Sequence, residues 1–267
     1  MKNLFSIEGK VAVVTGGSRG IGEMIAAGFL ANGAKVYISS RKADVCSATA
    51  KRLQETYGGE CVSIPADLSG LDGIETLTKG VESQEERLDI LVNNAGATWG
   101  EPLDVFPESG WDKVMDTNVK GVFFLTQKML PLLRKSANAE DPARVINVGS
   151  VDGIKTPVFE NFSYGPSKAA VHHLTRVLAA HLVKENIIVN GIAPGPFPTW
   201  MLSAGVGFGG ATEGVDWDSV GKGNPRGRVG TMEDIAGLAI FLSSRAGAYT
   251  VGETIACDGG AVASAHI

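Results

Sequence analysis

Several things are scarce in this sequence, and each shortage argues against a class of function. There are three cysteines in 267 residues: Cys46, Cys61 and Cys257, far apart and without CxxC or histidine-spaced partners. That argues against a disulfide scaffold or a zinc site and leaves buried or inert thiols. Basic charge is scarce too: 24 Lys and Arg against 29 Asp and Glu give a net charge of −5. General nucleic-acid binding wants a basic face, which this balance does not supply. No uninterrupted apolar run reaches membrane-spanning length. Met1-Lys2-Asn3-Leu4-Phe5 leads straight into Glu8-Gly9-Lys10, with no room for a signal peptide's apolar core. The expectation is a soluble, cytoplasmic protein with no metal, no membrane and no nucleic-acid partner. Linkers, solenoid-period repeats and low-complexity tails are missing as well. One domain over residues 1–267, with a core drawn from 44% hydrophobic residues, is therefore expected.

What is present is regular alternation. Strand signals fall near Val11, Val36, Val62, Ile90, Val145, Val189 and Ile255. Helical periodicity falls around Met24, Lys51, Leu77, Val114 to Leu132, Val171 and Ile235. Strand–helix alternation predicts an α/β fold: a doubly wound, seven-stranded parallel sheet with helices on both faces. At its start, Lys10-Val11-Ala12-Val13-Val14 runs into Thr15-Gly16-Gly17-Ser18-Arg19-Gly20-Ile21-Gly22, then a helix carrying Ile21, Met24, Ile25 and Phe29. Strand, glycine loop and helix in that order are the first half of a Rossmann dinucleotide fold. Glycines there allow the tight turn and bring N–H groups at the helix start close to a pyrophosphate.

Tyr164-Gly165-Pro166-Ser167-Lys168 sets a phenol and an ammonium four residues apart, on one face of a helix. Pro166 belongs in a first turn, which puts Tyr164 near the positive end of the helix dipole. A nearby ammonium should pull the phenol's pKa down toward working pH.

Taken together, the motifs resemble those of the short-chain dehydrogenase/reductase family, and the resemblance covers nearly the whole chain. The family pattern TGxxxGxG matches Thr15 to Gly22, and NNAG matches Asn93-Asn94-Ala95-Gly96. The catalytic Asn, Ser and YxxxK match Asn118, Ser150, Tyr164 and Lys168. The PG motif is Pro194-Gly195, followed by Thr199, and the closing DGG is Asp258-Gly259-Gly260. The resemblance implies a cofactor held by Gly16, Ser18, Arg19, Gly20, Ile21 and Gly22 at one strand end. Asn94, Ala95 and Gly96 would hold it at another, Asp67 and Leu68 at the adenine, and Pro194, Gly195 and Thr199 at the far side. Tyr164 and Lys168 would join in at the ribose. Asp67 serves equally well as a turn cap, because Ser69-Gly70 follow it.

Cofactor choice is readable from residues. A NAD site wants a carboxylate at the end of the second strand. Here Ser40 stands in that place, Arg41 follows, and Arg19 lies in the glycine loop. Either arginine alone would be ordinary surface. Together, with no acid present, they suit a 2′-phosphate and predict NADP(H).

The mechanism that follows is reduction of a ketone to a secondary alcohol, or its reverse, by hydride transfer. Tyr164 would give the proton, and Ser150 would donate a hydrogen bond to the carbonyl oxygen. By resemblance, Lys168 binds the nicotinamide ribose, and Asn118 kinks its helix and holds a water in a proton relay. His172, four residues after Lys168, reads as a structural histidine rather than a second base.

Within the family the look is closest to 3-oxoacyl reductases, including the type linked to rhamnolipid synthesis. Trp99, Phe159 and Phe162 near the motifs suggest a fairly hydrophobic ketone as small-molecule substrate. So does a glycine-rich segment over 196–228 with Phe197, Trp200, Met201, Leu202, Phe208 and Trp217, read as a substrate lid. An acyl carrier protein as partner is less favoured, because Glu185 stands where carrier-protein reductases typically show Arg. The alternatives are a sugar or polyol dehydrogenase and a non-catalytic NADP-binding sensor. Apolar residues on a second face of two long helices, Phe123 and Val177 among them, call for a partner surface, and the family resemblance implies a homotetramer, with a dimer as the alternative.

Overall fold

The structure is a computed structural model, described for residues 3–157, 159–205 and 210–264. Seven strands form one parallel sheet: β1 Val11–Thr15, β2 Lys35–Ser39, β3 Cys61–Ser63, β4 Ile90–Asn93, β5 Ala143–Val148, β6 Ile187–Pro194 and β7 Thr254–Cys257. Their order is β3-β2-β1-β4-β5-β6-β7. The chain winds outward from β1 in one direction and from β4 in the other. This leaves a crevice beyond the C-terminal ends of β1 and β4, where the connections diverge.

Helices cover both faces, as the alternation of strand residues requires. Ala12 and Val14 face one apolar layer, in which α1 (Gly20–Ala31), α2 (Ala43–Tyr57) and α9 (Met232–Ser243) supply Ile25, Phe29, Leu53 and Ile235. Val11 and Val13 face the other, with α3 (Leu71–Glu82), α5 (Gly121–Ser136) and α6 (Tyr164–Leu182). Strands β5 and β6 are buried throughout, as expected of central strands covered on both faces, with Arg144, Asn147 and Asn190 buried among their apolar residues. All seven expected strands and all six expected helical regions form. The stretch from Val114 to Leu132 is not one helix, however. It is the end of α4 (Glu108–Met115), a π-helical turn over Asp116–Lys120, and then α5.

Two short helices, α7 (Trp200–Gly205) and α8 (Trp217–Gly221), punctuate the glycine-rich segment. Its first aromatic, Phe197, belongs to the core rather than to a lid: it is 2% exposed. The ring occupies the space left by the missing side chain of Gly230. Phe208 lies outside the described residues. Cys46 and Cys61 are buried and Cys257 half-buried, all free thiols. Among the described residues no helix is long and apolar enough to cross a membrane, and no cluster of His, Cys, Asp or Glu is arranged to hold a metal.

Candidate active site

The crevice at the C-terminal ends of β1 and β4 is a cleft of about 680 Å³. Its floor is the glycine loop, where Gly16 (φ 64°) and Gly20 (φ 60°) take a left-handed backbone that side-chain-bearing residues avoid. Gly16, Ser18, Arg19, Gly20 and Ile21 line the cleft. Gly22 lies behind them, where a Cβ would overlap the Asn94 amide and the Gly16 carbonyl. The loop is fastened to the β4 end through Thr15, whose Oγ accepts the N–H groups of Asn94 (2.9 Å) and Ala95 (3.0 Å). The Asn94 amide returns the bond to the Thr15 carbonyl at 2.8 Å. The glycine loop and the Asn94-Ala95-Gly96 wall thus form one unit.

At one end of the cleft Ser40 and Arg41 form the wall, with Leu68 and Asp67 beside them. The Asp67 carboxylate is engaged by the N–H (3.1 Å) and hydroxyl (2.9 Å) of Ser69, so it does cap the turn. It is also the one acid among the described lining residues. The Arg19 guanidinium stacks over Trp200 of α7, 4.9 Å from the ring centroid. An open glycine cradle, the guanidiniums of Arg19 and Arg41, which make no ion pair among the described residues, and an Asp67 carboxylate already engaged by Ser69 suit a dinucleotide carrying an extra phosphate.

At the other end four residues converge. Asn118, buried on the π turn, accepts the Ala97 N–H at 2.8 Å and donates to the Ala97 carbonyl (3.0 Å) and to Ser167 (2.9 Å). Both its amide hydrogens are therefore held by protein acceptors, and the side chain ties the loop after β4 to the first turn of α6. Lys168 is 4% exposed and donates to the Val148 carbonyl at 2.9 Å. Ser150 ends the loop after β5, its Oγ accepting the Asp152 N–H at 3.1 Å. Tyr164 opens α6 and faces the cleft beside Lys168.

The expected lowering of the Tyr164 pKa is not what the protein alone produces. Burial pushes it up to about 12, with the hydrogen bond to Ser150 lowering it and the Asp152 charge raising it further. The Lys168 ammonium is directed at a carbonyl and lies 5.5 Å from the phenol ring centroid. Burial also brings Lys168 itself down to about 8. Desolvation outweighs the pair attraction at this separation.

Pro194 ends β6, and Gly195 is packed so tightly on Asp258 that a Cβ would come within 2.7 Å of its backbone. The Asp258 carboxylate caps Gly260 (2.9 Å) and Val262 (2.7 Å), so the closing DGG braces the PG turn. Thr199 lines the cleft and caps α7 by accepting the Leu202 N–H at 3.2 Å. Glu185 is another matter. It sits just before β6, at the strand's N-terminal end and so away from the cleft, paired with Arg134 at 2.6 Å, and is not among the residues that line the cleft.

Residues 10–205 match the family model of the short chain dehydrogenases. The chain belongs to that family. It is 51% identical, over 97% of its length and 99% of the relative's, to the rhamnolipids biosynthesis 3-oxoacyl-[acyl-carrier-protein] reductase of Pseudomonas aeruginosa. A solved structure described as the Pseudomonas aeruginosa RhlG/NADP active-site complex superposes with a TM-score of 0.89 at 50% identity, covering 97% of this chain and 99% of that one. A gluconate 5-dehydrogenase of Gluconobacter oxydans is 34% identical over 98% of each chain.

Some residues of this short chain dehydrogenase's site carry no motif. Trp200, an aromatic of the glycine-rich segment, is the partner of Arg19. Lys113 of α4 also lines the cleft, its ammonium 4.9 Å from the Trp99 ring. Neither pairing has a sequence signal, because each joins segments far apart in the chain. Thr15 stands inside the glycine motif, and its hydroxyl could have been suspected from its place at a strand end.

Proposed function

We propose that the protein is an NADP(H)-dependent ketoreductase that interconverts a 3-oxoacyl group, or a comparably hydrophobic ketone, and its secondary alcohol. One observation carries this reading: a proton-bearing Tyr164, its pKa raised by burial, opens the same helix as Lys168 at the wall of a cleft suited to a phosphorylated dinucleotide. The cofactor would lie on Gly16 to Gly22 and on Asn94, Ala95 and Gly96, with Arg19, Ser40 and Arg41 at its 2′-phosphate. When bound, it supplies the hydride.

The chain's own residues handle the oxygen. Ser150 donates to the carbonyl and steadies the charge that grows there. Tyr164, held protonated by its raised pKa, delivers the proton to that oxygen. Lys168 adds positive charge behind it, and Asn118 keeps the loop after β4 in register with α6.

The Pseudomonas relative's name supports the 3-oxoacyl substrate, and Trp200 and Met201 at the cleft suit an acyl chain. Acyl carrier protein as the carrier of that chain follows the same relative. A keto-sugar or polyol substrate is the second reading, supported by the Gluconobacter relative. The cytoplasm and a homotetrameric assembly complete the proposal. The half-exposed Phe123 (38%) on α5 and Val177 (40%) on α6 support the latter, as apolar groups that want a partner surface.

A panel followed at 340 nm decides the substrate. It comprises 3-oxoacyl thioesters on coenzyme A and on carrier protein, simple ketones, and keto-sugars, each with NADPH and NADH. The proposal expects the highest kcat/KM for a 3-oxoacyl thioester with NADPH. A keto-sugar preferred by tenfold or more would replace it with the second reading.

A further inference from the structure

Ser150 stands just before a single 3-10 turn, Val151–Gly153, that must be pinned before the serine hydroxyl has a fixed direction. Beneath the turn lies His172, one helical turn beyond Lys168 on α6 and 6% exposed. The Ser150 N–H donates to His172 Nε2 at 3.4 Å, and the Cε1 side of the ring packs against Gly153. One imidazole therefore touches both ends of the turn. The glycines on either side complement it. A Cβ on Gly149 would overlap Nε2, and one on Gly153 would come within 2.7 Å of Cε1. Space-filling alone would be met by leucine. An unprotonated ring nitrogen aimed at a buried N–H is more specific than that, because the N–H would otherwise be left without a partner. Burial, with Lys168 and Arg176 alongside, lowers the His172 pKa to about 4, which leaves Nε2 free to accept.

We propose that His172 is a positioning residue for Ser150. It acts through the main chain and sets where the serine hydroxyl points without touching substrate or cofactor. This rests on the assignment of Ser150 made above. A misdirected hydroxyl weakens a bond that matters most in the transition state, so the cost falls on kcat.

The test is a double-mutant cycle between His172 and Ser150, read by kcat, KM and NADPH affinity from fluorescence titration. His172→Leu should lower kcat by roughly ten- to a hundredfold, with KM and NADPH affinity within about twofold of the parent. His172→Gln, which keeps an acceptor, should recover most of the loss. In a Ser150→Ala background His172→Leu should cost little more, because the group it positions is gone. Should the leucine variant not fold, His172→Asn replaces it in the same cycle, its shorter side chain falling short of the Ser150 N–H. An undiminished kcat in both His172→Leu and His172→Asn would overturn the proposal. So would equal losses in the leucine and glutamine variants, or a loss repeated in full without Ser150. Ser150→Ala with unchanged kcat would instead remove Ser150 from the site, a separate failure.

Discussion

The Arg19 guanidinium of the glycine loop sits over the Trp200 ring of α7, 4.9 Å from the ring centroid. The contact joins the phosphate end of the cleft to the start of the glycine-rich segment. Stacking of this kind contributes about 0.5–1 kcal/mol at a partly exposed site. Trp200→Ala should therefore weaken NADPH binding by roughly two- to fivefold and leave NADH binding unchanged. Arg41→Asp should cost NADPH more, roughly ten- to a hundredfold, since it removes a charge-assisted bond and adds a repulsive charge. Fluorescence titration with both cofactors measures this. Equal losses for NADH and NADPH in either variant would contradict the assignment.

Most of the fold was legible in the sequence, because buried parallel strands and amphipathic helices leave strong periodic signals. The π turn around Asn118 was not: it keeps helical spacing on both sides and shows only as hydrogen bonds shifted by one residue. Motif order placed Tyr164, Lys168, Ser150 and Asn118 at one end of the cleft. It could not tell that burial would dominate the Tyr164 pKa, since that depends on how much protein surrounds the ring. Phe197 misled for a related reason. An aromatic in a glycine-rich stretch looks like lid, and only the space over Gly230 reveals it as core.

The glycine loop gives a steric prediction. A methyl group at Gly22 would collide with the Asn94 amide, which donates to the Thr15 carbonyl, and with the Gly16 carbonyl. Gly22→Ala should separate the loop from the β4 end, destabilising the protein by about 1–3 kcal/mol and weakening NADPH binding. Thermal melts with and without NADPH will show it. A variant with unchanged Tm and the full NADPH-induced shift would mean the loop tolerates the group.

Assembly is checked by light scattering at micromolar protein. The proposal expects a tetramer, and Val177→Glu on α6 should dissociate it by placing a charge in the contact. A fully active monomer at that concentration contradicts it.

His172 predicts an acid limb in stability. Its pKa is about 4 folded against an ordinary 6.5, so the unfolded chain takes up the proton first. Above pH 6.5 the ring is neutral in both states and exacts nothing. As pH falls from 6.5 to about 4, stability drops by up to roughly 3 kcal/mol. His172→Gln should flatten Tm against pH in that window. Parallel curves for parent and variant would exclude His172 as the source.

The most direct test of the central claim is Tyr164→Phe, which keeps the ring and removes the proton. With NADPH and the best ketone of the panel, kcat for reduction should fall by at least about a hundredfold, while NADPH affinity stays within about twofold of the parent. Near-full kcat in Tyr164→Phe would mean that the proton comes from elsewhere and that the site has been misread.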